Sequence, residues 1–106
     1  MVTFDDFMKL DIRIGTVTAA DKVAGADKLI RLELDLGGEH RQVVAGMAST
    51  YMPEEFIGRQ VPILVNLEPR KLRGVESQGM ILAVDVDGKP VLLLPDREVP
   101  PGSAVR

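Results

Sequence analysis

Cysteine and tryptophan are absent from the 106 residues, and only one histidine, one tyrosine and three phenylalanines occur. Without cysteine there is no disulfide, no thiolate zinc site and no cysteine nucleophile. A single imidazole cannot build a multi-histidine metal centre. His40 stands close to Gly37-Gly38, where a solvated turn residue is its ordinary role. No apolar run approaches the about 20 residues that a membrane helix needs. The start, Met1-Val2-Thr3-Phe4-Asp5-Asp6, lacks the basic-then-apolar layout of a secretory signal. A dominant charge is missing too, because 13 basic and 16 acidic side chains leave a net of −3. That small net charge weakens long-range steering toward polyanions. Its distribution is uneven, however. Residues 1–57 hold 6 basic and 10 acidic groups, and residues 58–106 hold 7 and 6, so a local basic site stays open. The expectation is one soluble, cytoplasmic domain over 1–106, without cofactor, metal or membrane.

What is present has the periodicity of strands. Thr3 caps a predicted helical turn with Asp5 and Asp6 at its positive end, and Phe4, Phe7 and Met8 are spaced to pack one face on the body. From Ile12 the period becomes two. Ile12, Ile14 and Val17 predict a first strand bent at Gly15, and Leu32, Leu34 and Leu36 alternate with Glu33 and Asp35 in a second. Gly37-Gly38 supplies a hairpin turn into a third strand, Arg41 to Ala45. Pro53-Glu54-Glu55-Phe56-Ile57 reads as a short helix stopped by Gly58. Val61 to Leu67 makes a fourth strand that Pro62 confines to an edge or to its own start. A loop from Glu68 to Gly74, a fifth strand from Ser77 to Val86, and the Asp87-Gly88 hairpin signal follow. Five strands with one small helix between the third and fourth give the order of an all-β OB-fold barrel, here with a short N-terminal helix and a C-terminal β extension.

Catalytic chemistry has no visible seat. Glu54 and Glu55 are helix neighbours that point apart, and Asp85, Asp87 and Asp96 lack calcium-loop spacing. The informative stretch runs from Asn66 to Met80. It sets Arg70, Lys71 and Arg73 between Pro69 and Gly74, in the loop that flanks the ligand face of an OB-fold. Guanidinium forks and an ammonium suit phosphate, and Asn66, Ser77 and Gln78 add neutral donors and acceptors. By composition alone, three basic residues in a loop fit a solvated loop as well as a binding site.

Leu10-Asp11-Ile12-Arg13-Ile14-Gly15-Thr16-Val17, Ala26-Asp27-Lys28-Leu29, Asn66-Leu67-x-Pro69 and Arg73-Gly74-Val75-Glu76-Ser77-Gln78-Gly79-Met80 together resemble the tRNA-binding domain family. That family includes C-terminal domains of methionyl-tRNA synthetases, their free-standing β-subunits and small independent tRNA-binding proteins. The similarity runs from about Phe4 to the C-terminus in one order. It implies an OB-fold homodimer that grips tRNA by shape and assists aminoacylation without acting chemically. A synthetase catalytic chain would be a further partner. Carried over by position, the RNA face comprises Asn66, Lys71, Arg73, Ser77, Gln78 and Met80, and Arg70 joins by charge. Lys28, Arg31 and Arg41 are secondary candidates. Departures from the family pattern are Val23-Ala24 in place of His-Pro, Ala45-Gly46-Met47 in place of Ser-Gly-Leu, and Glu68 in place of lysine. The alternative, from a related family of this fold, is a peptide-binding export chaperone.

Few aromatics argue against coating of single strands, which relies on stacking worth about 1–3 kcal/mol per base. Folded RNA read through backbone and shape suits this composition better. Past residue 86 the chain exceeds a minimal barrel. Val91, Leu92, Leu93 and Leu94 place apolar side chains on both faces of one strand, and a second subunit is expected to cover one of them.

Overall fold

The computed structural model describes all 106 residues. One turn of helix, α1 (Phe4–Phe7), leads into β1 (Ile12–Val23), β2 (Ala26–Asp35) and β3 (His40–Ala45). A 3-10 turn at Pro53–Phe56 precedes β4 (Gln60–Leu64), and β5 (Arg70–Leu72), β6 (Val75–Ser77), β7 (Met80–Ile81), β8 (Ala83–Val86) and β9 (Lys89–Leu92) complete the chain. The protein is mostly β. An antiparallel sheet runs β3-β2-β1-β4-β7, and β5-β6 and β8-β9 are separate two-stranded ribbons.

The alternation read in the sequence sets the core. Ile30, Leu32 and Leu34 of β2 lie inside with Val17, Val43, Val61 and Ile63, while Glu33 faces solvent. β4 is buried along its whole length. Phe56 enters this core from the 3-10 turn and meets Tyr51 edge-on, with centroids 5.4 Å apart. Tyr51 hydroxyl accepts from Leu92 N–H at 3.1 Å, which fastens β9 to the body. The Gly37-Gly38 and Asp87-Gly88 hairpins form where the sequence places them.

Four features depart from expectation. α1 is capped as predicted, with Thr3 and Asp6 in a reciprocal capping box, but it buries no residue and Phe4 is 74% exposed. One turn is too short to carry an apolar stripe, and Phe56 alone of the phenylalanines is core. Hydrogen bonds from Lys9 and Thr3 hold the Asp6 carboxyl below its usual range, so this cap is present above that range and is lost as pH falls through the lowered value.

Second, Pro62 sits inside the sheet opposite Ile14. It is tolerated because Ile14 turns its backbone groups away from β4, donating to Ser103 O at 2.9 Å and accepting from Gly102 N–H at 2.7 Å. The side of Pro62 that lacks a donor faces the end of the two-residue β7, where its carbonyl accepts from Leu82 N–H.

Third, the stretch expected as a loop over Glu68–Gly74 folds into the β5-β6 hairpin, and the expected strand Ser77–Val86 breaks into the end of β6, β7 and β8. Gly79 lies against β4 at the break, where a Cβ would come 2.9 Å from Leu64 O. Fourth, the ladder does not close into a five-stranded barrel, because β7 and β3 share no backbone register.

The C-terminal segment straps the first half of β1. Gln60 clamps it, donating to Val99 O at 2.7 Å and accepting from Val99 N–H at 3.0 Å. Gly102 then passes so close to Leu36 that a Cβ would lie 2.2 Å from its carbonyl oxygen, and its φ of +89° suits glycine alone. Gly102→Ala should therefore lift the strap off β1 and lower stability by about 1–3 kcal/mol in chemical denaturation. An unchanged midpoint would show that the strap contributes little.

Candidate nucleic-acid interface

The hairpin Arg70–Ser77 has three residues per strand, too few for independent structure, so the body must support it. Its turn is Arg73-Gly74, with φ of +52° and +80°, the geometry of a type I′ turn. Arginine in the left-handed region costs on the order of 1 kcal/mol where asparagine or glycine would fold more easily. The strained position displays the guanidinium at the tip.

The register sorts the hairpin's faces. Leu72 pairs with Val75, and both pack, with Leu29, on a small buried cluster of Val23, Ala26 and Val44. Arg70 pairs with Ser77, which is buried, while Lys71 pairs with Glu76 on an exposed face. Arg70, Lys71 and Arg73 are all exposed and form no ion pair. Lys28 is likewise unpaired, and it lines an open hollow with Gly25, Ala26, Asp27, Leu29 and Arg73. Arg73 at the hairpin tip and Lys28 near the start of β2 thus meet at one hollow, and Arg70 and Lys71 add two more unpaired cations along the same hairpin. Glu76 and Asp27 temper them, and Glu68 stands exposed just before the hairpin.

The other two secondary candidates are occupied. Arg31 reaches Asp21 at 2.6 Å, Gln42 Oε1 at 3.2 Å and Glu33 at 3.6 Å. Arg41 donates to the carbonyls of Val65 at 2.7 Å and Gln78 at 3.1 Å, and pairs with Glu39. Arg13 is fixed by Asp11, whose hydrogen bonds hold its pKa above the ordinary value. Arginines so engaged are poor partners for an incoming phosphate.

Several neutral candidates have structural partners of their own. Ser77 is 3% exposed, and its hydroxyl accepts from Val44 N–H and donates to Gly79 O, both at 3.0 Å. Asn66 ties the entry to β1, donating to Lys9 O at 2.7 Å and accepting from Asp11 N–H at 2.9 Å. Gln78 uses its backbone N–H on Gln42 O and its Oε1 on Gln42 N–H. Met80 alone of the neutral set is free and exposed. Gln42 is the residue that sequence reasoning missed. Its amide donates to Glu76 O at 2.8 Å, across the ribbon from Lys71. No local motif marks it, because its partner lies 34 residues away.

Comparison with known proteins shows the family. The family described as "Putative tRNA binding domain" matches residues 12–104. Methionine–tRNA ligase of Methanothrix thermoacetophila is 55% identical over 106 residues, covering 100% of this chain and 16% of that protein. Among solved structures, a MetRS-related protein from Pyrococcus horikoshii superposes with a TM-score of 0.95 at 39% identity, covering 100% of this chain and 98% of that one. The chaperone CsaA from Bacillus anthracis gives 0.91 at 39% identity, covering 100% and 99%. The chain spans about one sixth of the length of the curated relatives it matches. It belongs to the tRNA-binding domain family, related to both the synthetase domain and the CsaA proteins.

The buried position of Ser77 predicts how its removal will act. Ser77→Ala leaves the Val44 N–H without a partner and should cost about 1–3 kcal/mol of stability. The salt dependence of RNA binding should stay unchanged. Denaturation and salt titration of the variant check both, and full stability would show that the hydroxyl is dispensable to the fold.

Proposed function

We propose that this member of the tRNA-binding domain family is a non-catalytic module that holds tRNA by its phosphate backbone and shape. The observation that carries this reading is the set of unpaired cations on the β5-β6 hairpin, Arg70, Lys71 and Arg73, with Lys28 of β2 beside Arg73 at the tip. Bases would find little to stack on near the hairpin, since Phe56 is buried, Tyr51 is half-buried and bonded to β9, and the one well-exposed ring, Phe4, belongs to α1. Phosphates would find four charges. Four contacts correspond to a log-log salt slope of about −3, or about 60-fold in affinity between 50 and 200 mM salt.

The finer role proposed is that of a stand-alone methionyl-tRNA synthetase β-subunit-like protein in the cytoplasm, with a synthetase catalytic chain as partner. Its support is the 55% identity to a stretch of methionine–tRNA ligase. For the fold, the strand order and the 3-10 turn between β3 and β4 support an OB-fold whose last seam is joined by Ser77 and Gln78 instead of a ladder.

A homodimer belongs to the same reading. Val84 pairs with Val91 across β8-β9, and both are exposed, as are Val86, Leu93 and Leu94. β9 ends at Leu92, so Leu93 and Leu94 lie beyond the strand instead of within it. A twofold contact through this apolar face would double the basic hairpins offered to one tRNA. The same exposed face, together with 39% identity to a CsaA chaperone, favours peptide binding as the second reading.

Replacing Arg70, Lys71 and Arg73 by alanine should weaken tRNA binding and flatten the salt slope by about 2 to 3, with the melting temperature retained. Titration with total tRNA against an unfolded peptide separates the two readings. Peptide binding without tRNA binding would replace the first by the second. Leu93→Asp should convert a dimer to monomer by placing a carboxylate in an apolar contact, as read by sedimentation. A wild-type monomer at micromolar concentration would overturn the dimer.

A further inference from the structure

We propose that Gln42 is a positioning residue for the basic hairpin, setting the orientation in which Lys71 and its neighbours meet phosphate. The inference rests on the tRNA reading above and deepens it. A ribbon of three residues per strand is marginal on its own, so its attitude is set by whatever ties it down. Its apolar footing is slight, since Leu72 and Val75 are only half-buried. The remaining ties run to β3, and Gln42 takes part in three of them. Its backbone N–H donates to Gln78 Oε1 at 3.0 Å, its carbonyl accepts from Gln78 N–H at 2.8 Å, and its side-chain amide donates to Glu76 O at 2.8 Å.

The amide is itself held. Arg31 donates to Gln42 Oε1 at 3.2 Å, and Asp21 and Glu33 flank Arg31 at 2.6 and 3.6 Å. The orientation of the amide is thereby fixed: oxygen faces Arg31 and nitrogen faces the Glu76 carbonyl. A line of contacts therefore runs from the carboxylates of β1 and β2, through Arg31 and Gln42, to the β6 backbone directly opposite Lys71. Gln42 touches no cation of the proposed grip. It acts through the ribbon.

Gln42→Leu keeps the backbone bonds and the approximate shape, and removes the amide. Glu76 is exposed, so its freed carbonyl can take up water and the fold should survive. Two measurements test the proposal. Hydrogen exchange on the free protein should speed up for the amides of residues 70–77 while those of β1 and β2 keep their protection. Unchanged protection in the hairpin would overturn the inference whatever the protein binds. In parallel, Gln42→Leu should weaken tRNA binding about three- to tenfold in the wild-type background. It should have almost no effect in the Arg70, Lys71 and Arg73 alanine background. An equal loss in both backgrounds, or no loss in either, would overturn positioning while leaving the tRNA reading intact. If the triple alanine variant binds as wild type does, the hairpin grip itself fails, and the inference fails with it.

Discussion

The hydroxyl of Ser77, buried between Val44 N–H and Gly79 O, joins the two ends of an open sheet, and the polar end of the molecule is built on that junction. A sheet edge presents backbone donors and acceptors that must be satisfied, and β3 lies at such an edge. A seventh strand long enough to pair with it would satisfy them by a ladder. β7 has only two residues, so the groups at Gln42 and Val44 are met by Gln78 and Ser77. Side chains take the place of a strand. The consequence is geometric, because the chain just before this seam has nowhere to go but outward, as the β5-β6 hairpin.

Charge pairing then decides which part of the surface is available to an anion. Of the arginines on the sheet itself, Arg13, Arg31 and Arg41 are each held by carboxylates, and Arg41 also by two carbonyls. Surface pairs of this kind contribute at most about 1 kcal/mol each to stability. Their larger effect is to cancel the field over the sheet. The hairpin and the start of β2 keep four cations out of ion pairs and in excess over Asp27 and Glu76, so a chain with net −3 still offers a local positive region. Strain in the Arg73 backbone points the same way, since a tip chosen for folding alone would carry asparagine or glycine there.

Much of the frame was legible because it follows local rules. The alternation of Leu32 and Leu34, the paired glycines, Asp87-Gly88, the Thr3 cap of α1 and Pro53 at the start of the 3-10 turn each carry their own stereochemistry. The site was less legible, because its decisive facts are contacts across long separations. Arg70, Lys71 and Arg73 were visible as charge, yet their hairpin depends on an arginine at positive φ, which no propensity predicts. Ser77 and Asn66 carry the right groups for RNA, but their partners at Val44, Lys9 and Asp11 lie 33, 57 and 55 residues away. Phe4 failed for the opposite reason, as helical spacing promises a buried face only if the helix is long enough to own one.

The C-terminal ribbon presents a different economy of surfaces. Ala83 and Leu92 form its inward pair, packed against the main core and pinned by Tyr51, so the next pair, Val84 and Val91, must face outward. Single exposed valines are ordinary, but here Val84, Val86 and Val91 are exposed together with Leu93 and Leu94. The strap that follows turns back to β1 instead. This apolar face shares no residue with the basic hairpin, so association through one leaves the other open. Under the proposed reading, a module with few charges per copy gains most from a second copy when the two surfaces are independent. That independence is what the proposed dimer requires, and the hydrogen-bonded seam at Ser77 and the Tyr51 anchor secure each surface separately to the same core.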